Sequence, residues 1–89
     1  MQESLDKNLI DWAMEKRRFL GLKIFEVKWR GLAVYDYAVK LHLEENEFEG
    51  RGTALSSMKA LAIALTEAFE RYCAHQNEIN STNGISAHS

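Results

Sequence analysis

Three histidines, one cysteine and a scatter of glutamates are the residues of this 89-residue sequence with chemistry to offer. His42 lies in an alternating stretch, His75 near the end of a helical one and His88 in a polar tail, so none has a second ligand at metal-binding spacing. Cys73 and His75 stand two apart, and on a helix such side chains diverge by about 200°, which defeats a Cys–His nucleophile pair. No Ser-His-Asp arrangement, phosphate loop or nucleophile elbow is present. The residues therefore predict no enzyme, no catalytic group, no cofactor and no histidine-held metal. Glu67 and Glu70 are three apart, a spacing that sets two carboxylates on one helix face. Lys59 and Ile63 fall on the same outward side.

The glutamate pair belongs to a longer string, GRGTALSSMKALAIALTEAFERYCA, over residues 50–74. Gly50, Gly52, Ala60, Ala64-Leu65, Glu67-Ala68 and Glu70-Arg71-Tyr72 fall at the spacing of a glycine turn leading into a helix. This segment resembles the corresponding one of the YcaO family, ATP-dependent enzymes that activate backbone amides. The resemblance covers 25 of the 89 residues. It implies that Glu67 and Glu70 contribute to a magnesium and nucleotide site, with a serine one turn earlier. That serine's position is Ile63, which has no oxygen to offer a hard cation.

Residues 4–20 carry apolar side chains at helical spacing, Leu5, Leu9, Trp12, Ala13 and Phe19, and predict an amphipathic helix. Ser4 is its expected N-cap, Lys16, Arg17 and Arg18 suit the negative end of the helix dipole, and Gly21 is a natural stop. From Leu22 the period becomes two. Phe25, Val27 and Trp29 share one strand face, and Gly31 marks a turn. The second strand carries Ala33, Tyr35, Tyr37, Val39, Leu41 and Leu43 on one side, with a mostly polar opposite side. Glu45-Asn46 supplies a tight turn, and four glutamates between 44 and 49 crowd the hairpin tip. Residues 47–53 return as a short strand whose Gly50 and Gly52 invite a bulge or a close approach. Residues 56–76 predict the strongest helix, capped by Ser56 or Ser57, with Met58, Leu61, Leu65, Ala68, Phe69 and Tyr72 in its core stripe. Ala60 and Ala64, beside Ile63, are small enough to admit another helix.

The expected fold is α+β, an α-β-β-β-α chain with a three-stranded antiparallel meander and two helices on one face. Phe25, Val27 and Trp29 are expected to join the Tyr35–Leu43 face beneath them. One domain spans 1–76, and the polar segment 77–89 is expected to be disordered. The element order also resembles the double-stranded RNA-binding domain, but that family needs a basic cluster at the start of its last helix. Lys59 is the only cation there.

The net charge is −2, divided as +2 over residues 1–31 and −4 over residues 32–89. That balance does not favour nucleic acid as a partner. The single cysteine forbids an intrachain disulfide, and no segment approaches the ~18 apolar residues of a membrane span, so a cytoplasmic location is expected. The residues point to a non-catalytic interaction or regulatory domain with a protein partner, or itself as a homodimer, engaged through Ile63, Lys59, Glu67 and Glu70. The alternative is a nucleotide–magnesium accessory or relic of a YcaO-type system using Glu67 and Glu70; an RNA-binding module is the third reading.

Overall fold

Gly21 ends the first helical region, as its residue type suggests, and the way it does so sets the face of everything that follows. The structure, a computed structural model, describes residues 2–28, 31 and 33–88, with side chains over 4–27, 31 and 33–79. Helix α1 spans Gln2–Glu15 and a short α2 spans Arg17–Leu20. The expected single helix over 4–20 is thus broken at Lys16, whose φ and ψ are −96° and 10°. Ser4 lies inside the helix and is not its cap. The Arg17 side chain donates to the Met14 carbonyl at 2.8 Å, so one cation of the basic trio satisfies a helix-end acceptor.

Gly21 adopts φ 58° and ψ 38°, its N–H bonding to Arg18 O while the Leu22 N–H bonds to Arg17 O. This is a Schellman motif, in which the residue after the glycine folds back onto the helix. Leu22 accordingly packs against the core. Strand β1, Lys23–Lys28, inherits its parity from Leu22. Ile24 pairs with Val39 and faces the helices, whereas Phe25 pairs with Ala38 and Val27 with Asp36 on the open side. Phe25 and Val27 are 48% and 37% exposed. The expectation that these two lie beneath the helices is therefore reversed, and the open face is less polar than the sequence suggests. Trp29 lies outside the described residues.

Strands β2, Tyr35–Leu43, and β3, Asn46–Ala54, complete an antiparallel sheet of order β1-β2-β3. Their turn is one residue earlier than expected. Glu44 and Glu45 occupy it at φ 53° and 66°, and the Asn46 side chain donates to Glu44 O. Helix α3, Ser57–His88, crosses β2 and β3, and α1 lies against it on the same side of the sheet. Its cap is Ser56, whose Oγ accepts the Lys59 N–H at 3.3 Å. The helix continues beyond Gln76 through the segment expected to be disordered; no proline interrupts it. The α+β class and the two helices over one meander are as the periodicities predict.

The closest packing is between β3 and α3. A Cβ at Gly50 would stand 2.1 Å from Ala64 O and 2.5 Å from Ala68 N; at Gly52 it would stand 2.1 Å from Ala60 O. Ala60, Ala64 and Ala68 recur every fourth residue and are each 0% exposed. Glycines two apart on a strand face alanines four apart on a helix, so the two backbones meet with almost no side chain between them. Ala60 and Ala64 thus serve the sheet and do not admit a second helix. Val39, Leu41 and Leu65 fill the centre, with Leu20 and Ala13 closing it under α1 and α2.

Candidate functional site

Four residues singled out by the sequence come together. Lys59, Ile63, Glu67 and Glu70 line one shallow depression of about 280 Å³ on the outer side of α3, joined by Asp6 of α1 and Thr66. Ile63 is 39% exposed, though its Cβ lies over Gly52 and is partly occupied with packing. Asp6 and Thr66 were not anticipated; only the docking of α1 along α3 brings the aspartate in.

Glu67 is not a bare carboxylate. Its Oε1 accepts the Arg51 backbone N–H at 2.9 Å and stands 3.8 Å from Arg71 Nε. Strand β3 is a sheet edge, and an edge N–H that finds no strand needs another acceptor. Glu67 supplies it and pins the helix to the strand. The signal was in the sequence as an i,i+4 Glu67–Arg71 pair, but the long-range partner was not. The Arg51 side chain crosses to the open face, where it bonds Asp36 at 2.9 Å, with Asp36 buried and the guanidinium largely solvated. Glu67 also borders a second depression, with Arg51, Arg71, Glu47 and Glu49 around it. Among the described residues, no group of three or more His, Cys, Asp or Glu side chains is arranged to hold a metal ion.

A larger feature was not foreseen. Trp12 of α1 and Phe69 of α3 meet with ring centroids 5.5 Å apart and planes tilted by 54°, yet Trp12 remains 45% exposed. The pair forms the floor between two adjoining cavities. One, of about 560 Å³, reaches toward Phe19, Leu43 and Tyr72; the other, of about 540 Å³, reaches toward Leu9, Ala74 and Asn77. Cys73 borders both and is exposed. Together they make an apolar trough along the α1–α3 seam, with Phe19 standing 79% exposed at one end. Trp12, Phe19 and Phe69 match the helical apolar stripe, which is why the sequence assigns them to the core. A core position and an interface position look alike in a periodicity.

No protein-family model matches the sequence, and no curated protein matches it. Among solved structures, that of YcaO from Methanopyrus kandleri bound with AMPPCP and Mg²⁺ is similar, with a TM-score of 0.54 over 74% of this chain at 22% identity. The match takes in 18% of that chain. A likeness at this identity speaks to the fold: the arrangement of helices over a three-stranded sheet recurs as part of a larger protein. Among the described residues no helix is long and apolar enough to cross a membrane.

Proposed function

We propose that this chain is a non-catalytic interaction domain, a YcaO-like α+β unit that acts by engaging a protein through the α1–α3 seam. The observation that carries this reading is the apolar trough floored by Trp12 and Phe69, with Phe19 left 79% exposed beside it. Aromatic side chains in a partly desolvated groove are the usual anchors of protein interfaces, and contiguous exposed apolar patches mark interaction sites. The depression with Lys59, Ile63, Glu67 and Glu70 adjoins the trough through Glu70 and Thr66 and supplies a charged rim.

The test compares binding by the wild type with that by F19E and W12K, each first checked for a native circular dichroism spectrum. Association, with itself or with a captured protein, is expected for the wild type and lost in both variants. Equal retention by the variants, or no association of any kind, overturns the reading.

A second reading, nucleotide and magnesium binding at Glu67 and Glu70, is favoured by the similarity to a YcaO protein that holds AMPPCP and Mg²⁺. Against it stand Ile63, which offers no oxygen, and the engagement of Glu67 with Arg51 and Arg71. The residues present do not complete a site for the ion, so this reading ranks second. Titration with ATP and Mg²⁺, followed by amide shifts of α3, decides it. Saturable shifts around Glu67 and Glu70 support nucleotide binding, and an unresponsive helix removes it.

A further inference from the structure

We infer that the occupant of the trough is a cationic amphipathic helix of another protein. Its apolar side chains meet Trp12 and Phe69, and its Lys or Arg side chains reach Glu44 and Glu70. This inference rests on the interaction reading and names the chemistry of the partner. The two halves of the trough share Trp12, Phe69 and Cys73, and each has one carboxylate: Glu44 lines the half with Phe19, Glu70 the half with Leu9. No Lys or Arg lines either half, and His42 is the only lining residue with a basic nitrogen. Arg17 and Arg18, beside Phe19 in the chain, stay outside both linings, and the Arg17 guanidinium is bonded to the Met14 carbonyl. An apolar floor with a carboxylate in each half favours a basic apolar segment and repels an acidic one. Thr66 and Asn77 both line the trough, so it follows α3 for about three turns, roughly 16 Å at 1.5 Å per residue. That length, in a seam between two helices, suits a third helix laid along it.

Glu44 keeps its place at a backbone cost. It sits at φ 53°, where asparagine or glycine would be less strained, and its carboxylate accepts the side-chain amide of Gln76 on α3. The hairpin tip is thereby latched to the helix, with the charge of Glu44 held on the trough. Strain borne where a less strained residue would bring no charge points to a use for that charge. The surroundings share its sign, since residues 32–89, which include Glu44 and α3, carry −4.

Fluorescence anisotropy tests the inference with two labelled helical peptides of about 15 residues, both with leucines at i, i+3, i+4 and i+7. One borders that stripe with lysines, the other with glutamates. The wild type is expected to bind the lysine peptide saturably, with a Kd below about 1 mM, and about tenfold or more tighter than the glutamate peptide. Raising the salt from about 50 to about 500 mM is expected to erase most of that difference. E44Q/E70Q is expected to lose the preference and E44K/E70K to reverse it; both positions are exposed, and circular dichroism checks that the fold is kept. Should a variant unfold, the peptide preference and salt dependence of the wild type decide alone. No saturable binding of the lysine peptide overturns the inference, as does a preference that a folded E44Q/E70Q retains. A preference for the glutamate peptide also overturns it, as does a dimer in sedimentation equilibrium that the lysine peptide does not open, but both leave the interaction reading standing. Absence of every association ends both.

Discussion

Glu44 and Glu45 turn the β2–β3 hairpin with positive φ at both positions, a conformation that costs an L-residue roughly 1–2 kcal/mol and that asparagine and glycine take more readily. Crowding with Glu47 and Glu49 adds repulsion. E45G is therefore expected to raise the unfolding free energy by about 1 kcal/mol in urea denaturation; a loss of stability would show that the turn is not strained as described. Tyr37 gives a second prediction at this scale. Partial burial pushes its phenol above the ordinary value of 10.0, and the charge of Glu26, which accepts the hydroxyl at 3.2 Å, pushes it further. The folded state thus holds the proton more tightly than the unfolded chain. Its contribution to stability is intact below about pH 10 and is lost as the pH rises beyond it. Denaturation midpoints of the wild type should fall more steeply than those of Y37F over that alkaline range. Parallel profiles would contradict the assignment. The turn was legible in the sequence to within one residue, because Glu45-Asn46 breaks the alternation. The Tyr37–Glu26 bond was not, because it depends on a strand register that no local pattern specifies.

At the scale of elements, the contact between β3 and α3 dominates. Gly50 and Gly52 were read as inviting a close approach, and the structure supplies the approaching surface in Ala60, Ala64 and Ala68. Backbone faces backbone here, so no side chain can swing aside to make room. G50A is expected to destabilise the domain by about 2 kcal/mol or more, a large share of what a chain this small can lose. A near-neutral G50A in thermal or chemical denaturation would mean that α3 rides higher than described. The Glu67–Arg51 bond belongs to the same seam. E67A is expected to cost about 1 kcal/mol, because the edge N–H loses its acceptor, while E70A on the outward side should cost less than about 0.5 kcal/mol. Equal effects would show that the seam does not depend on the carboxylate. The periods of the elements were plain in the sequence, yet the facing of β1 was not. Phe25, Val27 and Trp29 outweigh Ile24 by apolar count. The decisive residue is Leu22, folded back by Gly21, and it fixes the parity against that count. Ala60 and Ala64 were misassigned for a related reason, since small residues suit a close strand and a close helix equally well.

At the scale of the whole molecule, two long helices cover one face of a three-stranded sheet, and the seam between them leaves aromatic side chains exposed. Lys59, Ile63, Glu67 and Glu70, set on one side of α3 by helical spacing, line one depression. The larger surface beside them was hidden because an amphipathic stripe does not say whether it is buried by its own sheet or by another chain. Trp12 and Phe69 meet each other and still border open space. Phe19 projects past them. The account's central claim is that this seam is an interface. Sedimentation equilibrium together with protein capture, for the wild type beside F19E, tests it most directly. Association of the wild type, with itself or with a captured protein, that F19E abolishes while the fold is retained is the predicted result; a wild type that associates with nothing would contradict it.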